Sequence, residues 1–277
     1  MISGADGDEL VTLQKDIHIP FGDKIIESTI STQKKAAPTG GVILTHGAGG
    51  DMNTAELPQV ANHLSELGFA CARFTCKGLN LKYRVKVFKA VVEHFMKTEK
   101  WSWFIIGGRS MGARAAVSTA NELFSDDDEP GKPDIKGVLC LSYPLHPPKD
   151  VNKLRDDILH SCKLPMFFVS GTEDVQCEKV LMENTLKNKT NVTMHWLEGG
   201  DHGLHVKGRD KLMTLGEICE VVGGWCKTMR HASSCITDDQ QSVSVYTSDD
   251  SKTGKKRDKT TKLQDGSRRK RRKEKKD

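Results

Sequence analysis

The sequence lacks an apolar run long enough to cross a membrane and a segment with the layout of a signal peptide. Its first residues, MISGADGDELVTL, are acidic and contain neither a basic region nor an apolar region. No stretch approaches the roughly 18 apolar residues that a membrane span needs. These absences predict an intracellular protein, cytoplasmic or nuclear, that makes no contact with a membrane.

The sequence also lacks the common metal and nucleotide motifs. None of its eight cysteines forms a CxxC pair, and HExxH, GxGxxG and the GK[ST] of a P-loop are all missing. Several cysteines lie inside apolar runs such as VLCLSY, which favours buried, reduced thiols. The sequence therefore predicts no metal site and no cofactor.

Positive charge is scarce in most of the chain and concentrated at its end. Residues 252–277 contain 14 Lys and Arg against 4 Asp and Glu, whereas the first 251 residues contain 28 and 33. Apolar periodicity stops near Ala232, so we predict a disordered Ser/Asp-rich linker over 231–251 and a disordered basic tail over 252–277. A folded domain is expected over 17–230, after an N-terminal extension over 1–16.

The basic tail contains the run RRKRRKEKK at 268–276, and this run suggests two kinds of partner. It is typical of a signal for a nuclear import receptor, and it could also bind nucleic acid without sequence preference. No aromatic residue interrupts the run, so nucleic-acid contacts would be made to phosphates and would weaken with salt. A solvated, unoccupied extension is the alternative.

The domain alternates between strands and helices. Short apolar runs predict buried strands at 42–46, 70–74, 104–108, 137–143, 166–170 and 192–197. Amphipathic stretches predict helices at about 55–67, 84–98, 111–124, 176–188 and 209–228. This order predicts an α/β fold with a mostly parallel, doubly wound sheet, helices on both faces and an antiparallel edge strand at 25–30. The functional site should then lie in the loops after the strands.

A candidate nucleophile follows the third of these strands. Gly108-Arg109-Ser110-Met111-Gly112 is a GxSxG pattern between the apolar run WFIIGG and a helix-forming stretch, as a nucleophile elbow requires. The small glycines allow the sharp turn, and the Met111 N–H at the helix start can stabilise an oxyanion. The alternative is a Gly-rich turn in which Ser110 only caps the helix.

The serine needs a histidine and an acid, in the order Ser, acid, His. Asp174 follows the run PMFFVSGTE, and His202 follows VTMHWLEGGD, so both lie at strand ends. Glu173 is an alternative acid, and the Gly-x-x-Asp spacing from Gly171 favours Asp174. His205 could compete with His202 or form an HxxH metal pair with it, but a third ligand is missing.

Three other residues at strand ends are candidates for the substrate pocket. The loop after the strand at 42–46 supplies His46 and then Ala48, whose N–H is expected to be the second oxyanion donor. His46 is interpreted as a residue that organises the turn. Tyr143 and His146 follow the strand at 137–143 and are predicted, with His46, to line or narrow the pocket.

Several segments together resemble one family of enzymes. They are IPFGDKIIEST, GVILTHGAGGDMN, FTCKGLN, GGRSMGARAA, SYPLHPP with the following Leu-Arg-Asp, FVSGTEDVQCE and GGDHGLHVKGR. They resemble the small α/β-hydrolases of the dienelactone hydrolase-like type and, within these, the testis-expressed protein 30 group, which is related to the hydrolase-like domain of subunit 3 of the nuclear NSL complex. The resemblance implies an α/β-hydrolase fold, with Ser110, Asp174 and His202 as a catalytic triad and Ala48 and Met111 as oxyanion donors.

Two segments bear on the substrate. Residues 75–80, TCKGLN, replace the Asp-x-x-Gly-x-Gly of many α/β-hydrolases and predict a different pocket wall. Only 19 residues, 145–163, stand where larger lipases insert a cap domain, which predicts an open site without a cap. We expect a serine hydrolase acting on a small-molecule ester or acyl compound; a non-catalytic module that binds protein partners in a nuclear complex is the alternative.

Overall fold

The computed structural model describes residues 11–34, 38–124 and 131–231. Most of the linker predicted over 231–251 and all of the predicted basic tail lie outside the described residues, as do the first ten residues of the predicted N-terminal extension. The statements that follow concern the described residues.

The fold contains eight strands and six helices in these residues. The strands are β1 (Thr12–Phe21), β2 (Lys24–Gln33), β3 (Gly40–Thr45), β4 (Ala70–Phe74), β5 (Trp103–Arg109), β6 (Asp134–Leu141), β7 (Met166–Gly171) and β8 (Val192–Leu197). The helices are α1 (Leu57–Glu66), α2 (Leu81–Thr98), α3 (Met111–Leu123), α4 (Asp157–Ser161), α5 (Lys179–Leu186) and α6 (Lys211–His231).

All strands belong to one sheet with the order β1-β2-β4-β3-β5-β6-β7-β8. From β4 to β8, neighbouring strands run parallel, whereas β2 pairs antiparallel with both β4 and β1. The predicted class, a mostly parallel α/β sheet with helices, is confirmed. The six predicted strands and five predicted helices each match an observed element to within a few residues.

The prediction that residues 25–30 form the edge of the sheet was wrong. They lie in β2, and β1 covers β2 as the edge strand. Strand β1 begins at Thr12, within the segment predicted as an N-terminal extension. This strand was not predicted because only Ile17 and Ile19 among its ten side chains are buried. Its sequence therefore shows little alternation of apolar and polar residues.

Both faces of the sheet are packed, which explains the continuous apolar runs of the central strands. Alternate side chains of β3 enter different cores: Val42 and Leu44 pack with residues of α1 and α6, whereas Ile43 packs with residues of α2 and α3. A strand points successive side chains to opposite faces, so a strand covered on both sides must be apolar at every position. The loops at the strand ends are left to carry polar groups.

The connection from β6 to β7 is short. Within it the structure shows only the five-residue helix α4, and the described residues there form no cap domain. The site at the strand ends is therefore not covered from this side.

Seven of the eight cysteines lie in the described residues, and all seven are buried and free. The eighth, Cys235, lies outside them. Among the described helices, none combines the length and the apolar character that crossing a membrane would require.

Candidate active site

Ser110 occupies a sharp turn between β5 and α3. Its φ is 52° and its ψ is −116°, in a region that non-glycine residues rarely adopt. Such a conformation costs on the order of 1–3 kcal/mol and persists only when the surroundings hold it. Two backbone hydrogen bonds do so, because the Ser110 N–H donates to the Leu141 carbonyl at 2.8 Å and its carbonyl accepts from the Arg114 N–H at 3.2 Å.

The glycines on either side of this turn are required by close backbone contacts. A Cβ atom at Gly108 or at Gly112 would lie 2.5 Å from the carbonyl oxygen of Thr45. Real Cβ atoms do not approach a backbone oxygen so closely, so each of these two positions admits only glycine without a shift of β3. The GxSxG pattern thus reflects the packing of β3 against the turn.

Ser110, His202 and Asp174 form a chain of hydrogen bonds. The Ser110 Oγ lies 3.0 Å from His202 Nε2. On the other side of the ring, His202 Nδ1 lies 2.8 Å from Asp174 Oδ2 and 3.0 Å from Oδ1. The Asp174 side chain is fully buried and the His202 side chain is one-fifth exposed. The three predicted residues, 92 and 28 positions apart, are brought together in the predicted order.

The alternatives for the acid and the base lie elsewhere. Glu173 is exposed, and its neighbour Asp174 makes the contact with His202. His205 is two-thirds exposed and lies 3.5 Å from Asp201 Oδ1. In the described part of the chain, no three His, Cys, Asp or Glu side chains converge as the ligands of a metal would.

Asp201 holds the loop that carries His202. Its Oδ1 accepts from the N–H groups of Gly203, at 2.7 Å, and His205, at 2.9 Å. Partial burial raises the pKa of Asp201, but these hydrogen bonds and the charge of His205 outweigh burial and leave the pKa lowered. The ionised carboxylate therefore stabilises the turn around His202.

The predicted oxyanion donors lie on the two loops next to Ser110. Ala48 follows β3 and is exposed, and Met111 is the first residue of α3. A Cβ added to Gly47 would be 3.2 Å from the Ser110 Cβ, so the Ala48 loop packs directly on the turn at Ser110. In the ranges that the structure describes, neither the Ala48 nor the Met111 N–H donates to a protein acceptor. Both are free to donate to a ligand.

His46 was predicted to line the substrate pocket. It is completely buried and does not do so. Its Nδ1 donates to the Gly47 carbonyl at 2.7 Å, and its Nε2 accepts from the Cys76 N–H at 2.9 Å. Burial and then the charge of Arg84 lower its pKa, which keeps the ring neutral. His46 joins the loops after β3 and β4, in agreement with its interpretation as a turn-organising residue.

Tyr143 and His146 are also buried, so the prediction that they narrow the pocket was wrong. The Tyr143 hydroxyl donates to the Arg155 carbonyl at 2.6 Å. His146 donates from Nδ1 to the Pro147 carbonyl at 2.9 Å and accepts at Nε2 from the Glu178 N–H at 3.2 Å. The hydrogen bonds of both side chains therefore stabilise the loop after β6.

Arg84, which the sequence analysis did not identify, connects the loops that follow β3 and β4. It extends from α2 and is buried. Its guanidinium donates to the carbonyls of His46 at 2.7 Å, Gly47 at 3.1 Å, Cys76 at 2.9 Å and Gly78 at 2.6 Å. An arginine at a core-facing position of a helix was the available signal, since a buried cation must be paired or fully hydrogen-bonded.

Arg109 and Glu56 form a second arrangement that the sequence did not reveal. Arg109 Nη2 donates to the His202 carbonyl at 2.9 Å, and its Nε lies 3.4 Å from Glu56 Oε1. Glu56 is buried immediately before α1, and burial raises its pKa although the charge of Arg109 opposes the shift. Arg109 thereby links the turn at Ser110 to the loop that carries His202.

The loop at 75–78 borders a cavity of about 430 Å³. The cavity lies where β4 ends and β2 begins, and it is lined on one side by Thr75, Cys76, Lys77 and Gly78. This loop is the segment whose sequence departs from Asp-x-x-Gly-x-Gly. None of Ser110, Asp174 and His202 lines this cavity.

Comparisons with known proteins agree with this architecture. Residues 38–230 match the family described as the alpha/beta hydrolase domain. Among solved structures, Est1E from Butyrivibrio proteoclasticus is 15% identical, with 78% of this chain and 99% of the other covered and a TM-score of 0.63.

Two further structures are similar. Dienelactone hydrolase from Anabaena variabilis is 15% identical and has a TM-score of 0.60. The matched region covers 78% of this chain and 98% of that protein's chain. A protein from Xanthomonas campestris described as an α/β serine hydrolase without lid is 15% identical and has a TM-score of 0.59. The matched region covers 76% of this chain and 94% of that protein's chain. At these identities the likeness establishes the fold.

Proposed function

Because this chain belongs to the alpha/beta hydrolase domain family, whose match spans residues 38–230, we propose that it is a serine hydrolase that cleaves an ester or thioester. The observation that carries the proposal is the hydrogen-bonded chain from Ser110 Oγ through the His202 ring to the buried Asp174 carboxylate. Family membership and the similarity to a structure described as an α/β serine hydrolase support a hydrolase in general.

The first half of the proposed reaction acylates Ser110. His202 donates its Nδ1–H to Asp174, so Nε2 carries a free electron pair and takes the proton of the Ser110 hydroxyl. The Ser110 oxygen attacks the substrate carbonyl carbon, and the oxyanion that forms accepts the N–H groups of Ala48 and Met111. His202 then protonates the leaving alcohol or thiol, the tetrahedral intermediate collapses, and the acyl group stays on Ser110.

The second half releases the acid. A water gives its proton to His202 Nε2 and attacks the acyl carbon, and the oxyanion again faces Ala48 and Met111. Collapse breaks the bond to Ser110, whose oxygen recovers the proton from His202. Asp174 stabilises the imidazolium in both halves and keeps its negative charge throughout.

Labelling with a fluorophosphonate probe tests this proposal without knowledge of the substrate. We expect covalent labelling of the wild type at Ser110 and none of Ser110→Ala. Ser118→Ala, on the same helix, is the matched control and should label like the wild type. A folded wild-type protein that is not labelled, or labelling that survives in Ser110→Ala, would overturn the proposal.

Within the family we propose kinship with the testis-expressed protein 30 group and, through it, a protein partner in a nuclear complex. The segments GGRSMGARAA, SYPLHPP and GGDHGLHVKGR support this assignment. Affinity capture from cells should recover stoichiometric chromatin proteins if the domain serves as an interaction module. Rescue of the cellular phenotype by Ser110→Ala would then favour that role over catalysis.

The nuclear assignment also rests on the basic run RRKRRKEKK at 268–276, which we propose as an import signal. Deletion of residues 252–277 should shift the protein from nucleus to cytoplasm in imaging of tagged chains. Unchanged localisation would remove the import proposal and leave the hydrolase proposal intact.

A further inference from the structure

The Arg109 side chain connects the turn at Ser110 to the segments around it. Arg109 is the last residue of β5 and immediately precedes Ser110. Its Nη2 donates to the His202 carbonyl at 2.9 Å, and its Nε lies 3.4 Å from Oε1 of Glu56, the residue before α1. A Cβ added to Gly47 would be 3.6 Å from Arg109 Nη1, so the same guanidinium group also packs against the loop after β3.

Few bonds fix the loop that carries His202 relative to Ser110. Among the described residues, two hydrogen bonds join Arg109 or Ser110 to His202: one from Arg109 Nη2 to the backbone carbonyl, and one between Ser110 Oγ and the ring Nε2. Asp174 holds the ring from its Nδ1 side, and Asp201 accepts from N–H groups within the loop itself. The bond from Arg109 is therefore the one that fixes the His202 backbone against the turn at Ser110.

A cavity of about 80 Å³ borders this loop. It is lined by Gly203, Leu204 and His205 of the loop and, from neighbouring segments, by Glu56 and Ile218. Side chains that face a void have no packing partners on that side. On the side of the cavity, the position of the loop therefore depends on its hydrogen bonds more than on packing.

Glu56 is the charged partner that anchors Arg109. The Glu56 side chain is 2% exposed and the Arg109 side chain is 16% exposed, so water screens their attraction little. Glu56 Oε1 and Arg109 Nε are buried and have no hydrogen-bond partner among the described residues, which leaves the ion pair as the interaction that both atoms share. Burial raises the pKa of Glu56, and the charge of Arg109 is the largest effect that opposes it. Loss of either partner leaves a buried charge uncompensated.

We propose that Arg109 is a positioning residue, which holds the His202 backbone where Nε2 reaches the Ser110 hydroxyl, and that Glu56 acts through Arg109 by fixing its guanidinium group. This inference rests on the proposed hydrolase function. Arg109 and Ser110 are neighbours at the same strained turn, so one support carries both the proposed nucleophile and the bond that places its base. Orientation of two reacting groups raises the rate of the reaction without strengthening the binding of the substrate.

Kinetics with 4-nitrophenyl butyrate test the inference. We expect kcat to fall about 10- to 100-fold in Arg109→Gln, with KM changed by less than about 3-fold, because the change displaces His202 and not the substrate. Arg109→Lys keeps the charge but not the planar group and should retain part of kcat. Glu56→Gln should lower kcat in the wild type and have no further effect in Arg109→Gln, since it acts through Arg109.

Arg209→Gln is the matched control. Arg209 forms an ion pair with Glu217 and lines the same cavity, but within the described ranges its side chain makes no hydrogen bond to His202. Its kcat should equal that of the wild type. An equal fall in Arg209→Gln, or an unchanged kcat in Arg109→Gln, would overturn the positioning role. Thermal melts show which variants are folded, and if Arg109→Gln is not, a wild-type kcat in Arg109→Lys would overturn the role.

A spectroscopic measurement separates this inference from the hydrolase proposal. The nitrogen NMR shift of His202 Nε2 reports whether the ring accepts a hydrogen bond from Ser110, and Ser110→Ala gives the value without that bond. The measurement is made at about pH 8.5, where an unperturbed histidine ring is neutral. We expect the shift in Arg109→Gln to move towards the Ser110→Ala value and the shift in Arg209→Gln to remain that of the wild type.

The outcomes of the two measurements are distinct. Shifts that depend on Arg109 in this way, without any ester turnover, would refute the hydrolase and support the positioning of His202 by Arg109. Ester turnover together with the same Nε2 shift in Arg109→Gln and in the wild type would overturn the positioning role and leave the hydrolase intact. The same shift in Ser110→Ala and in the wild type would overturn both, because there would be no bond between Ser110 and His202 to position.

Discussion

Three residues hold His202 and the loop around it in place. Asp174 holds the ring, Asp201 holds the turn, and Arg109 holds the backbone carbonyl. Each bond removes freedom that the ring would otherwise lose only when a substrate binds. In the proposed reaction, preorganisation of this kind would lower the barrier of the step in which His202 accepts the Ser110 proton.

Exchange of Asp174 for asparagine tests the orientation of the histidine. Asp174→Asn keeps an acceptor for the Gln176 N–H, so the fold should be retained. The amide favours the wrong tautomer of His202, and we expect kcat on 4-nitrophenyl butyrate to fall by roughly 10³–10⁴-fold. The exposed neighbour supplies the control, since Glu173→Gln should leave kcat unchanged. A similar kcat in both variants would show that Asp174 does not act on His202.

Glu56 introduces a pH dependence of stability. Burial raises its folded pKa above the usual value near 4.5, so the folded protein binds this proton more tightly than the unfolded chain. Stability therefore falls as the pH rises from about 4.5 through the folded pKa. Glu56→Gln removes the titrating group. The free energy of unfolding of the wild type minus that of the variant, measured in urea titrations, should therefore decline over that pH range. A flat difference would contradict the raised pKa.

The turn at Ser110 depends on how closely β3 and α3 approach. Gly112→Ala would place a Cβ 2.5 Å from the Thr45 carbonyl, and we expect a loss of about 1–3 kcal/mol from strain. Gly216→Ala in α6 meets no atom within 4 Å and should stabilise the protein by about 0.5–1 kcal/mol, because alanine favours a helix. Equal effects of the two changes in denaturant titrations would show that the close contact is unimportant.

Elements with strong periodicity were predictable, and those with weak signals were not. The central strands are covered on both faces, so their apolar runs were plain in the sequence. Strand β1 buries only Ile17 and Ile19 and was missed. Among the site residues, Ser110, Asp174 and His202 follow strands at fixed spacings, whereas Arg84 and Arg109 act through backbone carbonyls distant in sequence. His46, Tyr143 and His146 were misplaced because position at a strand end does not determine burial.

At the scale of the whole molecule, the two cores leave the thiols inaccessible. Burial raises the pKa of Cys71 and of Cys177 to about 12, so neither forms the reactive thiolate near neutral pH. In a Cys235→Ser background, iodoacetamide at pH 7.5 should modify none of the seven buried cysteines in the native protein and all of them in guanidinium, as read by mass spectrometry. Rapid native modification of Cys71 or Cys177 would contradict this packing.

The hydrogen bond between Ser110 and His202 joins residues 92 positions apart. A ribosome adds roughly 5–20 residues per second, so Ser110 is synthesised several seconds before His202, its proposed general base. While residues 124–173 are added, the nascent chain has β5 and α3 but neither Asp174 nor His202. Under the proposed mechanism, Ser110 would become reactive only when β7 and β8 have joined the sheet, so hydrolysis would be withheld until synthesis of the domain is almost complete.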